Sequence, residues 1–219
     1  MKINIFSEIS PLKNVIIHSP IGEHKFIKKI NTLEHIDNKE NPEFLLFDDI
    51  IDSNQLVKEH LQLQLVLNKF TNTKTLTFQK LLNEILDVRD IRINLIKKII
   101  QSESSIYDNI ISESFFEKLT SNQISKILIT GVFQQKQVFR YPLPNLIFTR
   151  DIGAVIGNSL ITTWSWHKSR QRESIITKFI VKYHVIFKDI EIFNFNKHFP
   201  NLSIEGGDIN IFSNKIVCI

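Results

Sequence analysis

The pattern of apolar and polar positions changes twice along the chain, near residues 79 and 134. Before the first change, short apolar runs alternate with polar segments, and two of them, KNVIIH at 13–18 and TLTF at 75–78, predict short strands. Between the two changes, apolar residues recur with helical spacing, and after the second the short runs return. The pattern therefore predicts a mixed α/β protein in which a helical block separates two strand-bearing segments.

One segment ahead of the helical block, residues 52–70, fits two patterns. Val57, Leu61 and Leu65 share one helical face, whereas the leucines at alternate positions from Leu61 to Leu67 argue for a strand. We prefer a helix, because the run is longer than an ordinary strand. The Asp that starts the run, with Gln three residues later, also resembles a capping box.

Residues 79–133 predict three or four helices. Leu and Ile recur there three and four positions apart, and neither Gly nor Pro occurs between 79 and 130. Ile106 and Ile110 begin one of the helical segments, and Thr120 with Gln123 resembles a second capping box. We interpret this stretch as an inserted helical subdomain.

The last stretch, residues 134–219, combines strands with one helix. Gly157-Asn158 predicts a hairpin turn, residues 173–187 predict a helix, and EIFNF and DINIF alternate as strands do. Ser213-Asn214 then turns the chain into KIVCI, where the sequence stops inside an apolar pattern. Because a natural terminus is usually polar or frayed, we expect a truncated chain.

Composition excludes several classes of protein. Of 219 residues, 42% are hydrophobic and 23% charged, with a formal net charge of +4, which excludes a wholly disordered chain. No apolar run approaches the ~18 residues of a membrane span, and from the first residues we expect no signal peptide. With Cys218 as the single cysteine, we expect a cytoplasmic protein. The basic residues are scattered, so we expect neither a nucleic acid nor a membrane as partner.

Two polar clusters could carry chemistry. In PLPNLIFTRD at 142–151, two prolines precede Asn145, Thr149, Arg150 and Asp151 at a predicted strand edge. In IEGGD at 204–208, two glycines between two acids allow a sharp turn that brings carboxylates close to a ligand. Paired, partly buried carboxylates match the planar fork of a guanidinium.

Less specific interpretations remain for each cluster. Asp151 could pair with Arg150 or cap a turn, and Gly206-Gly207 could form an ordinary turn. A metal site is disfavoured, because no His lies at ligand spacing beside the acids. Cys218 stands within IVCI, where we expect it to pack as a small hydrophobic residue.

Taken together, the motifs resemble those of the arginine deiminases, in the same order and almost from end to end. The strings that carry the resemblance are SEISPLKNVIIHSP, FLLFDD, PLPNLIFTRDIGAVIG, KSRQRES followed by KYH, and SIEGGD. The resemblance implies the pentein α/β propeller of the guanidino-group-modifying superfamily. Residues 1–78 would form the first propeller unit, 79–133 the inserted helical subdomain, and 134–219 further units, truncated at their C-terminal end.

The resemblance also implies a reaction, the hydrolysis of L-arginine to L-citrulline and ammonia, with no metal or organic cofactor. A cysteine thiolate attacks the guanidinium carbon, ammonia leaves, and water hydrolyses the covalent intermediate. A histidine acts as general acid and base, and carboxylates clamp the guanidinium.

The matching positions assign roles to six residues of this sequence. Asp151 matches the catalytic aspartate that pairs with the substrate guanidinium, and Glu205 matches the glutamate that orients the catalytic histidine and neutralises charge. Asn145 and Arg170 match residues that hold the amino-acid end of arginine, with Arg170 meeting its carboxylate. Phe148 matches an aromatic residue flanking the substrate, and Asp208 a supporting acid beside the guanidinium.

The family's nucleophilic cysteine and its His-x-Asp segment have no match in the sequence, and Cys218 does not match the nucleophile. We therefore expect the chain to be inactive alone. Three hypotheses follow: the N-terminal half of an arginine deiminase, a non-catalytic remnant that binds arginine or associates with an intact deiminase, and one half of a split enzyme completed by a C-terminal half. The family's homo-oligomeric contacts could be retained in each.

Overall fold

The computed structural model describes residues 3–71, 75–103, 113–213 and 215–218. The predicted helical segment beginning at Ile106, the turn residue Asn214 and the final Ile219 lie outside this part of the chain.

The predicted helices are present in the described residues, but the one predicted at 173–187 lies at 168–183, and a second, short helix follows it at 195–198. Asp52 caps the first helix, where its Oδ1 accepts hydrogen bonds from the backbone N–H groups of Asn54 at 2.8 Å and Gln55 at 3.2 Å. The helical interpretation of residues 52–70 is thus confirmed over the strand. The helices are α1 (Ser53–Phe70), α2 (Phe78–Leu86), α3 (Arg89–Glu103), α4 (Glu113–Glu117), α5 (Ser121–Thr130), α6 (Lys168–Tyr183) and α7 (Phe195–His198).

Helix α1 lies on the surface with its apolar face uncovered. The residues that share this face are exposed: Val57 by 45%, Leu61 by 53% and Leu65 by 56%. On the same helix, His60 is buried. Helical spacing therefore identified the element but not what covers its apolar face.

The helical block ends as its sequence indicates. Thr120 and Gln123 form the predicted capping box at the start of α5. Gly131 ends that helix with a φ of 75°, in the left-handed region that glycine adopts without a steric penalty.

The strands are short, and they form sheets of two or three strands. β7 (Gly153–Ile156) and β8 (Ser159–Thr162) form the antiparallel hairpin predicted around Gly157-Asn158, and β9 (Glu191–Asn194) adds to β8 in parallel. The predicted strand at 13–18 contracts to two residues, which pair in parallel with β4 (Leu76–Thr77). The strands are β1 (Ile16–Ile17), β2 (His35–Ile36), β3 (Lys39–Glu40), β4 (Leu76–Thr77), β5 (Val132–Phe133), β6 (Lys136–Gln137), β7 (Gly153–Ile156), β8 (Ser159–Thr162), β9 (Glu191–Asn194), β10 (Asn210–Ile211) and β11 (Val217–Cys218).

One hydrophobic core joins the helical block to the segment that follows it. The same buried cluster contains Leu82 of α2, Leu128 of α5 and Ile176 of α6, together with Leu146 from the segment between α5 and β7. The protein is thus a mixed α/β protein with small sheets, and none of the sheets in the described residues closes into a barrel. Helix α6, packed on α2 and α3, carries the first residues of the candidate site.

A search of the described helices finds no segment with the length and apolar character required to cross a membrane.

Candidate functional site

The candidate site is centred on Arg170, in the first turn of α6. His167 caps this helix, and its Nδ1 accepts a hydrogen bond from the backbone N–H of Ser169 at 3.3 Å. Three residues after His167, the side chain of Arg170 is only 7% exposed. A guanidinium so far removed from water requires partners for its donors.

Three carboxylates supply those partners, one for each nitrogen of the guanidinium. Nε donates to Oε2 of Glu173 at 3.1 Å, Nη1 to Oε2 of Glu205 at 2.8 Å, and Nη2 to Oδ2 of Asp151 at 3.2 Å. The Glu173 side chain is 2% exposed, whereas those of Asp151 and Glu205 are 23% and 30% exposed. The cluster therefore has a closed side at Glu173 and an accessible side at Asp151 and Glu205.

The turn at 204–208 places Glu205 beside Asp151. The N–H of Gly206 donates to the carbonyl of Asp151 at 3.0 Å. A Cβ at position 206 would lie 1.9 Å from the carbonyl oxygen of Arg150, so this approach requires glycine. Position 207 differs, because a Cβ there would lie 3.5 Å from Oδ1 of Asp151, at ordinary contact distance.

Arg150 secures the same turn from the other side. Its Nε donates to the carbonyl of Gly206 at 2.9 Å, and its Nη2 donates to the carbonyl of Ile209. Both Nη atoms also bind Glu8, at 3.0 and 2.8 Å, and the hydrogen bond from Arg150 lowers the pKa of Glu8. Arg150 therefore holds the turn to the N-terminal segment, while Asp151 pairs with Arg170.

The cluster contains more carboxylates than guanidinium groups, three against one. Burial opposes the charge on Arg170, but Glu173, Glu205 and Asp151 outweigh that effect and raise its pKa. Burial raises the pKa of Glu173 to about 7, against the opposing influence of Arg170. Even with Glu173 protonated, two carboxylates face one guanidinium, so the cluster can accommodate a second cation.

Of the other residues assigned from the motifs, Phe148 and Asp208 contact residues of this cluster, whereas the hydrogen bond of Asn145 goes elsewhere. Asn145 is buried and donates its amide to the carbonyl of Leu45 at 2.5 Å, which ties its loop to the FLLFDD segment. Phe148 is 51% exposed, and its carbonyl accepts the N–H of Asp151 at 2.9 Å. The carboxylate of Asp208 accepts the N–H of Glu205 at 2.9 Å and so braces the turn.

Two residues of the site were missed from the sequence. Glu173 stands three positions after Arg170 on a helix, a spacing typical of ion pairs, and that signal could have found it. Glu8 belongs to the SEIS motif, but nothing local indicates that it reaches Arg150, 142 residues away in the sequence.

The prediction for Cys218 was wrong, because this side chain is exposed in β11 and does not pack as a hydrophobic residue. The final strand pairs only with β10 among the described strands, which leaves its surface uncovered. Over the described ranges, no group of three or more His, Cys, Asp or Glu side chains is arranged to hold a metal ion.

The geometry defines a class of protein: a mixed α/β protein with a partly open carboxylate cluster that holds a guanidinium. Comparison with known proteins then gives the family. The model of the arginine deiminase family matches residues 117–219. Curated arginine deiminases match along nearly the whole chain, and the chain is therefore related to the arginine deiminases, which confirms the resemblance of its motifs.

Three of these relatives give the extent of the match. The arginine deiminase of Mycoplasma capricolum is 29% identical over 100% of this chain and 54% of its own length. Those of Listeria monocytogenes serotype 4a and Borrelia garinii are each 32% identical over 99% of this chain and 55% of their own length. The chain thus spans about half the length of the curated relatives it matches, an extent consistent with their N-terminal half.

Proposed function

We propose that these 219 residues form the guanidinium-binding part of an arginine deiminase, an enzyme that hydrolyses L-arginine to L-citrulline and ammonia. The observation that carries the proposal is the spacing of Asp151 and Glu205. Their oxygens lie 3.2 and 2.8 Å from two nitrogens of one guanidinium, that of Arg170. A carboxylate pair that fits one guanidinium at these distances has the geometry to bind another.

In this proposal the two carboxylates fix the plane of the substrate guanidinium and concentrate positive charge on its central carbon. That carbon is the atom attacked by the nucleophile. Asn145, Phe148 and Asp208 contribute to the substrate-binding region, since they lie on the two segments that carry Asp151 and Glu205. No residue of this sequence matches the family's nucleophilic cysteine or its acid–base histidine.

The finer architecture is also part of the proposal. The small sheets at residues 1–78 and 134–219 would be units of an α/β propeller, and the helices of 79–133 an insertion between them. The parallel pairing of β1 with β4 and of β8 with β9 suits such units, because both pairs require crossover connections.

The proposal is tested by calorimetric titration of the purified chain with L-arginine. We expect binding that Asp151→Asn weakens about tenfold or more, because the variant loses a charge-assisted hydrogen bond. Asp189→Asn, at an exposed aspartate outside the cluster, serves as the matched control and should bind as the parent does. Equal affinities for the Asp151 and Asp189 variants, or no binding to the parent at millimolar arginine, would refute the proposal.

The same preparation is assayed for citrulline. We expect no turnover by this polypeptide alone, because the covalent route needs a thiolate held at the guanidinium carbon. Citrulline formation that Asp151→Ala abolishes would contradict this expectation and would reveal a nucleophile within the 219 residues.

A second candidate function, association with a complementing polypeptide or another copy, is favoured by exposed apolar side chains on β9 and at the turn between β10 and β11. Ile192, Phe212 and Ile216 are 42%, 67% and 60% exposed. One edge of β9 has no partner strand among the described residues. Such edges and patches pair with other chains. Co-expression with the unmatched part of the Listeria relative should yield a co-purifying complex that forms citrulline, whereas separate elution of the two chains would count against this role.

A further inference from the structure

The carboxylates that the proposed function assigns to a ligand are already in contact with a guanidinium that belongs to the chain. Arg170 gives one Nη nitrogen to Asp151 and the other to Glu205. A ligand guanidinium that takes the same two oxygens requires both of these hydrogen bonds to break. Arg170 and the ligand therefore compete for one site.

The third contact of Arg170 differs from the other two. Its Nε bonds to Glu173 on the same helix, where the carboxylate is almost fully buried. The second oxygen of Glu173 is buried without a hydrogen-bond partner among the described residues. Rotation of the guanidinium toward Glu173 could therefore release Asp151 and Glu205 while Arg170 kept hydrogen bonds to a carboxyl group.

We infer that Arg170 is an internal occupant of the guanidinium site, anchored by Glu173, and that a guanidinium ligand must displace it to reach Asp151 and Glu205. This inference rests on the proposed function. It assigns Arg170 the role of reducing the affinity of the site, in addition to its expected contact with the substrate carboxylate. The apparent affinity for the ligand is proportional to the fraction of molecules in which the site is open, so it falls as Arg170 closes more of them.

Methylguanidine separates the two roles of Arg170, because it has a guanidinium group and no carboxylate. A residue that only holds the substrate carboxylate makes no difference to methylguanidine binding. An occupant of the site weakens it. Removal of Arg170 should therefore strengthen methylguanidine binding while L-arginine, which loses its carboxylate contact, gains less.

The experiment titrates methylguanidine and L-arginine separately into the parent chain, Arg170→Ala and the control Arg89→Ala. Arg89 forms an exposed pair with Glu117, away from the cluster. We expect Arg170→Ala to bind methylguanidine about tenfold more tightly than the parent, and Arg89→Ala to bind it as the parent does. An unchanged or weaker affinity of Arg170→Ala would overturn the inference.

A measurement on the parent chain covers the case in which the variant does not fold. In a spectrum of the arginine Nε–H groups, saturating methylguanidine should shift the Arg170 signal and leave that of Arg172 unchanged. Binding that Asp151→Asn abolishes, with no shift at Arg170, would overturn the inference while the proposed function stands. No binding of either ligand to the parent or to Arg170→Ala would refute both.

Discussion

Two arginines stand two positions apart on α6, and their surroundings differ in every respect that decides function. Arg170 meets three carboxylates, two of them accessible to solvent. Arg172 is 1% exposed and meets one carboxylate, that of Glu103 on α3, to which its Nη1 donates at 2.8 and 2.9 Å. The Arg172 guanidinium also donates to the carbonyl of Tyr141 and lies 4.5 Å from the ring centre of Phe139.

The electrostatics follow from these partners. Burial lowers the pKa of Arg172 despite the opposing effect of Glu103 and raises the pKa of Glu103, whereas the carboxylates around Arg170 raise the pKa of that arginine. The pair of Arg172 and Glu103 joins two helices and is balanced in charge, so it has no surplus negative charge for a second cation. A cluster with surplus negative charge and an open side can take up a second cation. The number of carboxylate partners, rather than the buried arginine itself, thus distinguishes a candidate site from a structural contact.

The largest effect that this comparison predicts is on stability. Arg172→Met removes the partner of the Glu103 carboxylate, whose side chain is 20% exposed, and leaves the buried carbonyl of Tyr141 without this donor. It should lower the free energy of unfolding by about 3 kcal/mol. Arg170→Met should cost clearly less, because Asp151 and Glu205 can turn to water and Glu173 can take up a proton. Urea unfolding at pH 6 measures both.

The control for this prediction is Arg89→Ala, which breaks an exposed pair and should cost less than about 1 kcal/mol. The double variant Arg172→Met/Glu103→Leu should recover much of the loss, since no unpaired charge remains. Equal losses for Arg170→Met and Arg172→Met would remove the distinction between the two regions.

A smaller effect depends on pH and arises from Glu173. Its pKa is about 7 in the folded protein against an ordinary value of 4.5, so the folded state holds the proton more tightly. The resulting stabilisation is complete below pH 4.5 and is lost as the pH rises through 7. Glu173→Gln cannot titrate and should become more stable relative to the parent between pH 4.5 and 8, by at most about 3 kcal/mol.

Urea unfolding of the parent and of Glu173→Gln at several pH values measures this difference, in which the contributions of the other titrating groups cancel. The exposed Glu34 provides the matched variant, Glu34→Gln, which should show no such trend. A pH-independent difference between Glu173→Gln and the parent would mean that Glu173 is ionised in the cluster throughout the range.

The smallest predicted effect on stability concerns the turn at 204–208, which carries Glu205, a partner of Arg170 but not of Arg172. Gly206→Ala forces a Cβ against the Arg150 carbonyl, so the backbone must shift, at a cost of about 2 kcal/mol. Gly207→Ala meets only an ordinary contact and should change stability by about 0.5 kcal/mol or less. Thermal unfolding of the two variants compares them directly, and equal melting temperatures would show that the close approach imposes no constraint.

Much of the fold followed from local sequence, because helix spacing and capping residues act over a few positions. Asp52 and Thr120 begin helices as their patterns predict, and Gly157-Asn158 forms the predicted hairpin turn. The exposure of α1 and the two-residue length of β1 could not be predicted, because they depend on which other segments cover an element.

The candidate site shows the same division. The resemblance of the motifs singled out Asp151, Glu205 and Arg170, and these three are in contact in the structure. Their contact with one another could not be read from the assigned roles, which place a substrate between them. The burial of Glu173 was equally hidden, since it results from the packing of α6 on α2 and α3.

The central claim, that Asp151 and Glu205 bind a ligand guanidinium, is tested most directly by a crystal structure of the chain with L-arginine. The account predicts the ligand guanidinium within hydrogen-bond distance of both carboxylates, with Arg170 displaced from them and Arg172 unmoved. Arginine bound elsewhere, for example in the cavity of about 190 Å³ beside His24 and Asn54, with Arg170 still on both carboxylates, would contradict it.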